Sequence, residues 1–136
     1  MALIICVTGP ANTGKSSTIR QFTTEHLGYE KLAGDVLGVF PMPRRNYAIG
    51  VNSYGDNATV VREGLEFIEL YRKLGVMIVA SRSQKATFEE VERFAKEKRA
   101  RVRRIFTENR DGNRSINAAI LANIREIMSL LPGRDR

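Results

Sequence analysis

Eight residues near the amino terminus, Gly9–Ser16, constrain the fold more than any other part of the chain. They follow an apolar run, Leu3–Val7, and lead into a segment that is compatible with a helix. Glycine at positions 9 and 14 allows positive φ angles and a close approach of the backbone, which side chains would block. Such a loop can turn successive N–H groups inward and form a concave nest for an anion at the start of a helix. The segment therefore predicts a strand, a tight loop and a helix, with an anion site at the loop.

The pattern Gly-x-x-x-x-Gly-Lys-Ser is the phosphate-binding loop, or Walker A motif. Its lysine reaches the β- and γ-phosphates of a nucleotide, and its serine hydroxyl can bind Mg²⁺. We therefore predict that the chain binds a nucleoside triphosphate with Mg²⁺ as cofactor, and that Lys15 takes part in catalysis. The predicted nucleotide contacts come from the loop and the residue after it: Gly9, Pro10, Ala11, Asn12, Thr13, Gly14, Lys15, Ser16 and Ser17.

Composition narrows the class of protein. A length of 136 residues predicts a single nucleotide-binding domain over 1–136, with 132–136 as a flexible tail. No apolar run approaches the ~20 residues that span a bilayer, and the first residues lack the basic start of a signal peptide. We therefore expect a cytoplasmic protein with no membrane partner. Cys6 is the single cysteine, which excludes an internal disulfide and indicates a small buried thiol.

Apolar runs alternate with segments of helical periodicity. The runs at Ala2–Val7 and Val76–Ala80 do not alternate with polar residues, as expected of central parallel strands covered on both faces. Short apolar segments on either side of Pro41–Asn46 predict a hairpin. We predict an α/β fold of three layers, with a mainly parallel sheet of about five strands and an antiparallel hairpin at its edge. The other predicted elements are a helix at Lys15–His26 ending at Gly28, a helix at Asn57–Leu74 ending at Gly75, a helix capped by Thr87, a strand at Val102–Thr107 and a helix capped by Ser115.

Two acids are candidates for the metal. P-loop proteins usually carry this acid just after an apolar strand, and Asp56 is the closest acid to the end of the second hairpin strand. Asp35, before the hairpin, is its rival. Asp56 with Asn57 would also serve as a helix cap, so both acids remain candidates beside Ser16.

Three arginines are candidates for contact with the nucleotide. Ligands of open α/β sheets bind outside the carboxyl ends of the strands, where Arg82, Arg110 and Arg114 would lie. A guanidinium there can clamp a phosphate or cover a base, and each of these arginines could equally be an ordinary surface residue. The predicted catalytic set is Lys15, Asp56, Arg82 and Arg110.

The densest charge run lies between Lys96 and Arg104, with six basic residues and one acid. Together with a net charge of +7, it favours polyanions as ligands. The run itself contains no aromatic residue that could stack on bases, which argues against nucleic acid as the partner. We interpret it as the solvated end of a helix and the start of a strand, with a patch for nucleic acid or an acidic partner as the lesser alternative. The sequence leaves a protein partner or an oligomer unknown.

The chain resembles the P-loop NTPase superfamily, by layout over most of its length and by a specific motif at residues 9–16. The segment Asn52-Ser53-Tyr54-Gly55 is similar in position to the Asp-x-x-Gly of small GTPases, with Asn in place of Asp. Ser81-Arg82-Ser83-Gln84 stands where those proteins carry the guanine-selecting Asn-Lys-x-Asp, so the resemblance implies ATP rather than GTP. Ala33-Gly34-Asp35 looks like the Asp-Gly-Asp of some small-molecule kinases.

Three activities are consistent with these residues. We favour Mg²⁺-dependent hydrolysis of ATP, because the chain has no obvious insertion that would form a lid over a second substrate. A kinase that transfers the γ-phosphoryl group to a small molecule or nucleotide is an alternative. A non-catalytic module, in which the nucleotide orders a loop for a partner, is the other alternative, and the Asn at position 52 favours it.

Overall fold

A computed structural model of the chain describes residues 3–9, 14–30, 34–42, 46–54, 58–69, 74–82, 85–107 and 113–131. Strands and helices alternate along the chain, apart from one direct connection between two strands. In order the elements are β1 (Leu3–Gly9), α1 (Lys15–Leu27), β2 (Leu37–Pro41), β3 (Ala48–Asn52), α2 (Ala58–Glu69), β4 (Leu74–Arg82), α3 (Lys85–Lys98), β5 (Arg101–Phe106) and α4 (Asn113–Leu130).

The five strands form one mixed sheet in the order β2-β3-β4-β1-β5. β1 lies between β4 and β5 and is parallel to both, and β3 is parallel to β4. β2 pairs with β3 in the antiparallel direction at the edge of the sheet. The predicted α/β fold with a mainly parallel sheet and a hairpin edge is therefore confirmed.

Helices cover both faces of the sheet, because successive side chains of the central strands point to opposite sides. In β1, Ile5 and Val7 pack against α1 and α4, on what we call the α1/α4 face. Ile4 and Cys6 pack against α2 and α3, on the α2/α3 face. All four side chains are fully buried, which explains why the run is apolar without alternation.

The strand order fixes the position of a ligand crevice. The chain leaves β1 through α1 and the hairpin toward β3, and it leaves β4 through α3 toward β5 on the other side. Because crossovers between parallel strands are right-handed, α1 and α3 lie on opposite faces. β1 and β4 are neighbours, and Gly9 and Arg82 are register partners at their carboxyl ends. This is the switch point at which open α/β sheets bind ligands.

Some boundaries differ from the sequence prediction. Leu74 and Gly75 do not end the second helix, since α2 ends at Glu69 and both residues belong to β4. The helical spacing of Leu74 was misleading because the same side chain is buried in the sheet. Gly75 is required there because a Cβ would lie 2.6 Å from Cγ of Tyr47. Thr87 and Ser115 are not caps, because α3 and α4 each begin two residues earlier.

Candidate functional site

The two ends of the glycine loop lie at the carboxyl end of β1. Gly9 is buried as the last residue of the strand, and Gly14 has a φ of 89°, a left-handed conformation that favours glycine. Gly14 O accepts the hydrogen bond of Thr18 N at 2.8 Å, so α1 begins directly after this turn. The first turn of α1 contains no acidic residue of its own, and the positive end of the helix dipole favours an anion here. Pro10, Ala11, Asn12 and Thr13 lie outside the described residues.

Lys15 folds back from the start of α1 to the end of β1. Its Nζ donates a hydrogen bond to Gly9 O at 2.7 Å and its side chain is half-buried. The ammonium group is therefore held between the end of β1 and the start of α1. This is the position from which a lysine can move a short distance to a phosphate held by the loop.

Ser16, Asp35 and Ser53 form a cluster beside the loop. The hydroxyls of Ser16 and Ser53 both donate to Asp35 Oδ1, each at 2.8 Å. Ser53 Oγ in turn accepts from Val36 N at 2.7 Å, and Ser53 N donates to Val36 O at 2.9 Å. Asp35 is thus fixed against the first turn of α1 by the residue that follows β3. Of the two acids proposed for the metal, Asp35 is the one placed against Ser16; Asp56 lies outside the described residues.

Arg20 connects α1 to the segment that carries Asp35. Its Nη1 donates to Gly34 O at 2.9 Å, and its Nη2 lies 3.5 Å from Ser17 Oγ. Gly34 has a φ of 86°, which allows the chain to turn just before the carboxylate. Arg20 and Ser53 are positioning residues that the sequence did not reveal, because their partners are distant in the chain.

Asn52 lies in the packed interior at the end of β3. It is fully buried, and its Oδ1 accepts a hydrogen bond from Tyr54 N at 3.0 Å. Its Nδ2 has no hydrogen-bond partner and lies against Gly64 of α2, where a Cβ would come within 2.0 Å of it. The side chain of Asn52 therefore lies in close contact with α2 at Gly64.

The other predicted residues are placed only in part. The backbone of Arg82 ends β4 beside Gly9, and its side chain lies outside the described residues. Arg110 also lies outside them. Arg114 belongs to the first turn of α4, but its side chain is not among those described.

A polar network lies beneath the loop on the α2/α3 face. Thr8 Oγ1 accepts hydrogen bonds from Ser81 Oγ at 3.1 Å and from Arg104 Nη2 at 3.4 Å. Ser81 Oγ is also 3.2 Å from Cys6 Sγ. The Arg104 guanidinium stacks on Phe88 at 3.5 Å from the ring centroid. These contacts join β1, β4, β5 and α3 just below Gly9, and the sequence did not identify them.

Burial raises the pKa of the Cys6 thiol from 9.0 to about 11, although the hydrogen bond with Ser81 and the charge of Arg104 act in the opposite direction. The unfolded chain ionises first as the pH rises, so this contribution to the free energy of unfolding is complete below pH 9 and is lost toward pH 11. We expect a loss of about 2 kcal/mol across that window. Urea denaturation at several pH values should show it, and Cys6→Ala should lack this component. Equal pH slopes for the two proteins would contradict the assignment.

None of the protein-family models, curated proteins or solved structures compared with this chain matches it. Within the described residues, no group of three or more His, Cys, Asp or Glu side chains is placed to hold a metal ion. No helix in the same part of the chain is long and apolar enough to cross a membrane.

Proposed function

We propose that this protein binds ATP with Mg²⁺ at the Gly9–Ser16 loop and hydrolyses it to ADP and inorganic phosphate. The observation that carries the proposal is the contact of Ser16 Oγ with Asp35 Oδ1 at 2.8 Å, directly beside a lysine that folds back to the end of β1. A hydroxyl, a carboxylate and an ammonium group thus meet at a helix N-terminus and at the switch point of the sheet. Each is suited to a different part of a nucleotide–metal complex.

The residues present fit a magnesium ion. Mg²⁺ prefers oxygen ligands and is usually held by one or two carboxylates together with phosphates and water. Ser16 and Asp35 would supply the protein oxygens, and the ion would neutralise charge on the β- and γ-phosphates. Lys15 would bind the same phosphates, and Arg20 would keep the Asp35 segment in place.

Hydrolysis and its alternatives can be separated by the fate of the γ-phosphate. Release of phosphate from ATP without an added acceptor supports hydrolysis. The position of Asn52 favours the non-catalytic module as the second candidate. Its side chain is fully buried against α2, so the last residue of β3 is an amide rather than an acid that could bind the metal. Tight ATP binding with no phosphate release would reject hydrolysis, and it would leave the non-catalytic module and a kinase that lacks its acceptor.

Asp35→Asn tests the metal assignment. The amide oxygen can still accept the hydroxyls of Ser16 and Ser53, so the local structure should be kept while the charge is lost. We expect the enhancement of ATP affinity by Mg²⁺ to fall about tenfold, as is common when a residue of a metal site is altered. Calorimetry with ATP, with and without Mg²⁺, measures this effect.

Asp56→Asn is the matched control for Asp35→Asn, since it removes the same charge from the rival acid. It should leave the Mg²⁺ enhancement unchanged. If Asp56→Asn lowers the enhancement and Asp35→Asn does not, the metal belongs to Asp56 instead.

A further inference from the structure

The free edge of the sheet carries an exposed basic surface. β5 pairs with β1 alone, and in the described part of the chain no strand covers its other side. Five exposed basic side chains lie on the end of α3 and on β5, with Glu97 as the one acid among them. We call this surface, together with Phe106, the β5 edge. Its basic residues are Lys96, Lys98, Arg99, Arg101 and Arg103.

The three arginines of the β5 edge have no ion-pair partner among the described residues. Arg99, Arg101 and Arg103 differ in this from Arg62 of α2 and Arg93 of α3, which both pair with Glu90. Arg101 and Arg103 are two positions apart on one strand, so both side chains border the α1/α4 face of the edge. The charge of these arginines is therefore available to an external anion.

Arg99 occupies a costly backbone position. It follows the last residue of α3 and has a φ of 55°, in the left-handed region that glycine or asparagine adopts more easily. The turn closes the helix, because Ala100 N donates to Ala95 O at 2.9 Å. A glycine would adopt this backbone conformation more easily, and the structure gives no packing reason for an arginine at this position.

An exposed aromatic ring stands at the other end of the same strand. Phe106 is 61% exposed, the highest value among the large hydrophobic residues of the described chain. The Arg104 guanidinium lies 4.8 Å from its ring centroid and also stacks on Phe88, which fixes the position of the ring on the α2/α3 face of the edge. Charges alone would protect an edge strand from unwanted pairing, but an exposed phenylalanine has the opposite effect. Protection against aggregation therefore does not account for the β5 edge.

We propose that the β5 edge binds single-stranded nucleic acid, with the arginines on the phosphates and Phe106 stacked on a base. Proteins that bind single strands combine a basic track with aromatic platforms in this way. From Arg101 to Phe106 the strand spans about 17 Å, which is enough for a few nucleotides of a single strand. The sequence treated the basic run and Phe106 separately; the strand brings both to one edge. This proposal is independent of ATP binding at the loop.

The test is fluorescence anisotropy with a labelled oligothymidylate, without ATP, over a series of salt concentrations. The double variant Arg101→Gln/Arg103→Gln should bind about tenfold more weakly, and the slope of log K against log salt should fall by about 1.4. Phe106→Ala should weaken binding at least about fivefold, as expected for the loss of one stacked base.

Two further variants separate binding from folding. Arg99→Gly should bind more weakly while raising the thermal stability of the protein, and a purely structural role for Arg99 predicts no loss of binding. Arg62→Gln/Arg93→Gln removes the same charge between α2 and α3 and should leave the affinity unchanged. Circular dichroism checks that every variant is folded.

Several results would overturn the proposal. These are no binding at low salt, an equal loss in the Arg62→Gln/Arg93→Gln control, or full affinity in Phe106→Ala. Competition by polyglutamate as strong as that by the unlabelled oligonucleotide would assign the β5 edge to an acidic protein instead.

Discussion

Replacing Lys15 with alanine should weaken the binding of ATP with Mg²⁺ by about 100-fold, provided that the loop is the nucleotide site. Lys15 Nζ is held 2.7 Å from Gly9 O, so the ammonium group is already at the loop before a ligand arrives. A hydrogen bond to a charged group contributes about 1.5–3 kcal/mol, and the alanine variant would also leave phosphate charge without its partner. The upper part of that range corresponds to about 100-fold in affinity.

Calorimetry with ATP measures the effect of Lys15→Ala. Lys96→Ala is the control, because it removes the same charge from an exposed position on α3. It should leave the affinity for ATP as it is in the original protein. The fold should persist in Lys15→Ala, since the loss of one hydrogen bond from a charged group costs about 1.5–3 kcal/mol, less than the ~5–15 kcal/mol that stabilises a typical native domain. Unchanged ATP affinity in the folded variant would show that Lys15 does not contact the nucleotide. The proposal that the loop is the nucleotide site would then lose its main support.

Gly64→Ala should lower the free energy of unfolding by about 3 kcal/mol, near the top of the range for overpacking a core. A Cβ at this position would lie 2.0 Å from Asn52 Nδ2 and 2.6 Å from its Cγ. Asn52 is fully buried between α2 and the sheet, so its amide cannot move aside without opening the core. The better helix propensity of alanine returns at most about 1 kcal/mol. Urea denaturation measures the net change in the free energy of unfolding.

The double variant Asn52→Ala/Gly64→Ala tests the cause. Removing the amide makes room for the new methyl group, so the two changes together should cost clearly less than the sum of the separate changes. Gly28→Ala is the comparison, because Gly28 has a φ of 72° and no atom within 4 Å of the added Cβ. The loss of stability in Gly28→Ala should come from the backbone alone, and it should not change when Asn52 is also replaced. A Gly64→Ala protein as stable as the original would show that α2 is not held this close to β3.

Local patterns predicted the elements well where one residue type dictates the backbone. The end of α1 at Gly28 was predicted because glycine adopts the left-handed conformation that closes a helix, and its φ of 72° confirms it. The buried strands β1 and β4 were predicted from apolar runs without alternation. The helix starts at Thr87 and Ser115 were wrong, because hydroxyl residues near a helix N-terminus are common inside the first turn as well as at the cap.

The candidate site likewise has one part that the sequence predicted and one part that it did not. The loop residues from Gly9 to Ser16 follow from spacing, since the motif is continuous in the chain. The contact of Asp35 with Ser16 did not follow from spacing, because it depends on which segment crosses in front of α1. Contacts of Asp35 with Ser16 and Ser53 join residues from three segments of the chain, and no local pattern encodes them.

The sequence by itself determined an α/β chain with the spacing Gly-x-x-x-x-Gly-Lys-Ser after its first strand, because periodicity, glycine placement and motif spacing are local properties. Only the tertiary structure decided that Asp35 faces Ser16, that Asn52 is a packing residue beneath Gly64, and that the arginines of β5 share a free edge with Phe106. Those relations depend on strand order and on which face each side chain takes. They are set by the burial of two apolar faces at once, which no short stretch of the chain can specify.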